Sequence, residues 1–426
     1  ETTFPEICGP DLSHNGNYDA FVARISQTGE YFEYCGYIGG AGEDNGWGIA
    51  VDALACAYIT GRTLSGPVSF PVKIGPELTH DAYTDAFVAK VNASGTELDY
   101  CGYIGGEEQD EGYGIAVDGA GNAYVTGFTA SWQSFPVVIG PDLGFNDFLY
   151  EDAFIAKVNP TGSALLYCGY IGGMNSDAGY AIAVDSSGNA YVAGGTRAPE
   201  SSFPVKEGPD LTHNGGMDGF VAKVNAYGTG FHYCGYIGGS SIEICYGIAV
   251  DGLGNAYVVG ERAFNTTGFP IRVGPDLSYN GGLRDGFVAK VSYAMPTVSI
   301  IFPGEDAAVS GTVPILVDAY DQDGISKVEI SIDGILKAAD TTYPYGYNWD
   351  TSGLTGLHTI TAAAYVLEQI RAETQITISV SMELSPTIVV HPSSQTVYGT
   401  QTVVLSVEAT GTPPLSYQWY EGATGD

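Results

Sequence analysis

The residues best able to do chemistry in this chain come in copies. The stretch YCGYIGG stands at residues 34–40, 100–106, 167–173 and 233–239, each time with a cysteine at the same place: Cys35, Cys101, Cys168 and Cys234. A thiol on a Gly-rich stretch could act as a nucleophile, provided a base or cation beside it forms the thiolate. No histidine travels in register with it: His14, His80 and His213 occur in three of five connecting segments only. Strand alternation puts Tyr100, Gly102 and Ile104 on one face and Cys101 and Tyr103 on the other, so the cysteine reads as a small apolar group packed inside the fold. Cys8, Cys56 and Cys245 lie outside the motif, where sister copies carry Ile, Asn and Gly. These three are the disulfide candidates, within the chain or between chains, although spacing alone cannot pair them.

Carboxylates recur as well. Asp52, Asp118, Asp185 and Asp251 precede turns such as GAGN, where an Asp side chain caps its own turn by accepting backbone N–H bonds. Asp19, Asp85, Asp152, Asp218 and Asp285 open a later strand and follow Asp11, Glu77, Asp142, Asp210 and Asp276. Two carboxylates and several carbonyls in one connection could hold Ca²⁺, which takes six to eight oxygens, so Asp11 with Asp19 and Asp210 with Asp218 are candidate ligands. Asp318, Asp321 and Asp323 in DAYDQDG form a further candidate, which lacks the distal Glu of an EF-hand and reads equally as a turn. Calcium is the only cofactor the sequence raises. Trp47, Tyr113, Tyr180 and Tyr246 share one position and Tyr37, Tyr103, Tyr170 and Tyr236 another, either packing between repeats or lining sugar sites. No Ser/His/Asp set, phosphate loop or catalytic carboxylate pair stands out, and no cysteine spacing fits zinc or haem.

These residues are positioned by a long repeat. The segments DAFVARI, DAFVAKV, DAFIAKV, DGFVAKV and DGFVAKV begin at Asp19, Asp85, Asp152, Asp218 and Asp285, in steps of 66, 67, 66 and 67. Each repeat holds four strand-like runs, for example YGIAVD, AYVTGFT, DAFIAKVN and the run ending in YCGYIGG, separated by turn residues. A four-stranded antiparallel sheet of this size must cover its faces with neighbouring copies, which predicts an all-β fold of β-propeller blades. The chain enters mid-repeat, with five DAF strands and four of each other kind. Four blades with a spare strand at 285–291 result if the opening DAFVARI…YCGYIGG completes the sheet begun at 246–262. Five to seven blades result if repeats precede Glu1.

GIAVDGAGNAYVTG, followed by DAFVAKVNASG and YCGYIGG, resembles the bacterial β-propeller repeats abbreviated SBBP, relatives of the NHL repeats, over about residues 1–293. The resemblance implies a propeller on a secreted or cell-surface protein, with no activity common to the family. This chain departs from the plainer pattern by long connections near 4–18, 70–84, 135–151, 203–217 and 269–284, where a specific function could sit.

The period stops after residue 294. Residues 295–383 have strand-length runs parted by turn residues and read as a β-sandwich. Asp321–Gly324, Ile332–Gly334, Trp349–Thr351 and Gly356–Ala362 resemble the motifs of bacterial Ig-like modules. Residues 384–426 resemble the first part of another such module, with Trp419 in YQWY as its core tryptophan. A complete sandwich needs roughly 100 residues, so this one is expected to be cut short.

Counts of 15 Lys+Arg against 49 Asp+Glu give a net charge of −34, which repels nucleic-acid phosphates and anionic lipids. No apolar run reaches the roughly 18 residues of a membrane span, and ETTFPEICGP lacks the basic start and apolar core of a signal peptide. The sequence therefore predicts a non-enzymatic extracellular structural or adhesive protein. Its expected partners are other copies of itself, other surface proteins or glycans. The alternative is a carbohydrate- or protein-binding module of a larger secreted enzyme.

Overall fold

A computed structural model describes residues 4–80, 83–146, 148–292, 296–321, 325–366, 370–381, 386–399, 402–411 and 415–420. Among these, all regular structure is β-strand. The chain divides into two compact units, Glu1–Tyr293 and Ala294–Asp426.

The first unit is a series of antiparallel sheets. Strands β1 (Ala20–Ile25) and β2 (Phe32–Ile38) pair as a two-stranded sheet. Three four-stranded sheets follow: β3 (Asp44–Val51), β4 (Ala57–Thr63), β5 (Asp85–Val91) and β6 (Leu98–Ile104); β7 (Asp110–Val117), β8 (Ala123–Thr129), β9 (Asp152–Val158) and β10 (Leu165–Ile171); β11 (Asp177–Val184), β12 (Ala190–Thr196), β13 (Asp218–Val224) and β14 (Phe231–Ile237). The last sheet holds β15 (Glu243–Val250), β16 (Ala256–Ala263) and β17 (Arg284–Val291). These are the propeller-like blades that the repeat predicts. The strand at 285–291 is not spare, however. It is β17, paired with β16 from Ala256↔Val291 to Ala263↔Arg284, while β1 pairs with β2. The connection after β16 returns the chain locally to the free edge of that strand, so β17 takes the place that end-to-end closure would give to β1.

Side chains of the inner strands are buried on both faces of the sheets and fill the junctions between them. Tyr58, Val88 and Tyr100 face the next sheet and pack with Ile115, Phe154 and Cys168, whereas Cys101 and Tyr103 face the preceding one and pack with Ala20, Val22 and Tyr34. The two faces of YCGYIGG are thus divided as the alternation predicts.

The long connections close the outer edge of each fourth strand. In the first full sheet, Lys73 N donates to Cys101 O (3.0 Å), Cys101 N to Ile74 O (2.8 Å) and Tyr103 N to Glu77 O (2.9 Å). Glycine is required where the two backbones meet: a Cβ on Gly102 would lie 2.4 Å from the Cα of Gly75. Gly140 against Gly169 repeats this approach. Edge strands that would otherwise offer unpaired backbone to other chains are blunted by the chain itself.

In the second unit, β18 (Thr297–Phe302), β20 (Thr312–Tyr320) and β23 (Tyr345–Asp350) form one sheet. The facing sheet holds β19 (Ala308–Val309), β21 (Lys327–Ile332), β22 (Ile335–Asp340), β24 (Gly356–Val366) and β25 (Ile370–Val380). Ile315, Val317, Ile330, Trp349, Ile360 and Ile378 fill the core between them, as in an Ig-like sandwich. Beyond it, among the described residues, β26 (Thr387–Val390) and β27 (Glu408–Thr410) pair, and Trp419 is 56% exposed. A single pair of strands is too small to bury a tryptophan.

Gly102→Val is expected to cost about 2 kcal/mol or more, because the added side chain must lift residues 73–77 off the sheet edge. Thermal melting should show a drop of several degrees.

Candidate functional site

The repeating polar residues lie at the two opposite ends of the sheets. At one end sit the tight turns. In the second full sheet, Asp118 Oδ1 accepts from the N–H groups of Ala120 and Asn122 (both 2.9 Å), and Oδ2 accepts from Asn122 Nδ2 (2.7 Å) and Tyr124 OH (2.9 Å). Asp185 repeats this pattern with Ser187, Asn189 and Tyr191, and Asp251 with Leu253, Asn255 and Tyr257. Burial pushes the Asp118 carboxyl up, but these donors outweigh it and hold the group below the usual carboxylate range. Lys157 Nζ lies 4.0 Å from Asp118 and 4.8 Å above the Tyr124 ring, and burial lowers its pKa against the pull of Asp118. Lys223, Asp185 and Tyr191 form the same set one sheet on. Between the two sets opens a cavity of about 670 Å³ whose lining includes Lys157, Tyr167, Asp185 and Tyr227. Each lysine is thus already matched by a carboxylate and a ring.

At the other end, buried acids meet across the junctions. Asp85 Oδ1 and Asp110 Oδ2 both approach Gly105, at 2.5 and 3.0 Å from where its Cβ would stand. Asp110 Oδ2 also accepts from Gly106 N (2.7 Å) and Ser131 Oγ (2.8 Å). Burial drives the Asp110 carboxyl up to about 7, against hydrogen bonds from Thr129 and Ser131. Asp177 is pushed well above the usual range by burial, and Asp218 up to about 7 by burial reinforced by Glu243 and Asp210. A carboxyl with a raised pKa holds its proton more tightly in the folded chain than in the unfolded one. Its contribution is complete below about pH 4 and is lost as pH rises through 7.

The calcium candidates of the connections belong to this end. Asp11 accepts from Ser13 N (2.8 Å) and Asn15 Nδ2 (2.8 Å), and Asp210 from Thr212 N (2.9 Å) and Asn214 Nδ2 (2.7 Å). Asp19 accepts from Asn15 N (2.7 Å) and Asp218 from Asn214 N (2.9 Å). The structure brings each pair together through one asparagine, with N–H donors where a cation would demand only oxygens. In the second unit, Asp318 is exposed on its strand opposite Ser299 and Asp321 is buried just past the strand end; Asp323 lies outside the described residues. Among the described residues, no three His, Cys, Asp or Glu side chains are grouped to hold a metal ion.

All seven cysteines are free thiols. Burial drives the thiols of Cys101, Cys168 and Cys234 far above their ordinary range, which leaves no thiolate for nucleophilic work. Of the disulfide candidates, Cys8 is exposed, while Cys56 and Cys245 are buried in the cores of different junctions, which keeps them from pairing with each other.

One arrangement was only half visible in the sequence. Trp47, Tyr113, Tyr180 and Tyr246 form a ladder with successive ring centroids 4.9, 5.5 and 5.5 Å apart. Each sits at a break in strand register, where Gly112 pairs with Gly127 and Gly114 with Thr126, so that Tyr113 bulges out. A bulge re-aims one side chain out of the alternation. The flanking glycines of GWG and GYG are the sequence trace of it.

Family comparisons agree with this geometry. A β-propeller repeat model, SBBP, matches residues 102–135 and 235–261, and a bacterial Ig domain model matches residues 296–362. The chain carries SBBP repeats and a bacterial Ig domain. No curated protein sequence matches it. Among solved structures, the fibronectin(III)-like modules of Clostridium thermocellum CbhA align at 27% identity over 20% of this chain and 98% of theirs, with a TM-score of 0.18. The endo-β-1,4-mannanase of Thermotoga petrophila aligns at 18% identity over 22% of this chain and 21% of its own, with a TM-score of 0.19. The extracellular domain of a putative hybrid two component system from B. thetaiotaomicron aligns at 10% identity over 90% of this chain and 56% of its own, with a TM-score of 0.24.

Two outcomes are expected. Melting temperature should fall as pH rises from 4 to 8, and Asp218→Asn, which removes one of two facing acids, should flatten that decline above pH 6; a profile identical to wild type would contradict the assignment. Because the connection carboxylates are held by N–H donors, a calcium chelator should leave the melting temperature unchanged.

Proposed function

We propose that this chain is a non-enzymatic structural or adhesive protein of the cell exterior, with the repeats as a rigid assembly unit and the Ig-like part as a spacer. The observation that carries the reading is how the recurring polar groups are used. Asp118, Lys157 and Tyr124 bond to one another, and Tyr124 OH reaches Gly188 O of the next sheet (3.3 Å). Polar groups spent on sheet-to-sheet contacts serve rigidity. The net charge of −34 supports a chain kept soluble by self-repulsion. SBBP repeats beside a bacterial Ig domain support a modular surface protein.

A second reading rests on the aromatic ladder, whose end rings Trp47 and Tyr246 are 43% and 48% exposed. Rings in a row at an exposed site suit the faces of a glycan.

Antibody raised against the chain should label intact, unpermeabilised cells of the source organism, and labelling only after permeabilisation would overturn the location. On a glycan array, retention that Trp47→Ala weakens at least tenfold would favour the second reading; no retention of the wild-type chain on any glycan would remove it.

A further inference from the structure

The last sheet lacks the fourth strand that the three before it have. Each full sheet holds its fourth strand between the third strand and the connection, whereas here β17 and residues 269–280 face each other across a cavity of about 360 Å³. We infer that this cavity is a fourth-strand groove that binds an extended segment of the repeat's own Tyr-Cys-Gly-Tyr pattern, donated by another chain. The inference names the partner of the assembly reading above and rests on that reading.

The groove repeats the parts that grip β6, β10 and β14. Its floor is the free edge of β17, whose sequence DGFVAKV is that of β13. Its wall is FPIRVGPDL, the counterpart of FPVKIGPEL, whose backbone bonds Cys101 and Tyr103. Val273, the counterpart of Ile74, is fully exposed. Backbone pairing would supply affinity and alternate side chains selectivity, the mode of strand addition.

Two positions define what fits. Gly75 and Gly140 meet the glycine of their fourth strand so closely that an added Cβ would stand 2.5 and 2.7 Å from its Cα. At Gly274 the nearest atom to such a Cβ is Leu277 Cδ2 at 3.4 Å, so the space kept by the glycine is unfilled. The incoming strand therefore needs glycine opposite Gly274. In the first full sheet Tyr103 lies between Phe70 and His80, each 5.4 Å away. In the last sheet the equivalent Phe269 and Tyr279 hold the Arg262 guanidinium, 5.4 and 5.1 Å from their rings. A tyrosine of the incoming strand replaces this arginine, which turns outward.

The test uses the full chain in reducing buffer and a fluorescent peptide, LDYCGYIGG, the sequence of residues 98–106. Anisotropy should show saturable one-to-one binding, and the peptide should raise the melting temperature of the chain. Gly274→Val, which meets no close contact in the empty groove, should melt like wild type yet bind at least tenfold more weakly. A peptide with valine for its Gly102 equivalent should not bind, and Arg262→Ala should tighten binding several-fold by freeing the ring seat. Absence of saturable binding, or equal binding by Gly274→Val, overturns the inference. Either result leaves labelling of intact cells unchanged, so failure of the groove and failure of the surface reading are told apart.

Discussion

Everything in the repeat unit depends on covering both faces of a four-stranded sheet. One such sheet is too small to hold a core by itself, so its apolar side chains are buried only when another sheet lies against each face. The junctions achieve this with little variety. Phe87, Phe154 and Phe220 are all fully buried, as are Tyr58, Tyr124 and Tyr191, because each fills the same volume between successive copies. Where no neighbouring strand covers them, the same kinds of residue are exposed: Ile49 and Val51 on β3, Val259 on β16 and Val288 on β17. Position in the series, rather than residue type, decides burial here.

Packing apolar faces so closely constrains the polar ends. Backbone groups leaving a sheet cannot reach water once connections lie over them, and the recurring aspartates meet that need. Turn aspartates such as Asp118 remain ionised because their donors are local and numerous. Junction aspartates such as Asp110 and Asp218 face another acid in a dry setting and hold a proton instead. One residue type in one repeat thus occupies two protonation regimes, set first by how far burial outweighs the donors each carboxylate accepts from.

Much of this was legible in the sequence because the repeat supplies several tests of each reading. The strand order, the turn aspartates and the face division of YCGYIGG all follow from alternation and turn chemistry acting over 66 or 67 residues. The rest depended on contacts between distant segments. Nothing local marks FPVKIGPEL as the lid of a strand edge, since the proof is a hydrogen bond from Lys73 to Cys101. The strand at 285–291 looked spare because counting motifs does not say which edge of β16 is nearer when the chain returns. Trp419 carried the look of a core residue, but burial requires partner strands that four and three residues of pairing do not provide.

One position changes its chemistry in every copy. The residue after Gly61, Gly127, Gly194 and Gly260 is Arg62, Phe128, Gly195 and Glu261 in turn. Three of the four meet the aromatic ladder, each differently: Arg62 lies 5.5 Å above Trp47 and pairs with Glu111 at 2.8 Å, Phe128 sits 5.8 Å from Tyr113, and Glu261 accepts from Tyr246 OH at 3.0 Å. A uniform row of rings bordered by a cation, an aromatic ring and an anion is chemically graded along its length. Selection for stacking alone would have no reason to vary that border. The ladder's flank is therefore where this scaffold, otherwise committed to holding itself together, presents a surface that distinguishes one repeat from the next.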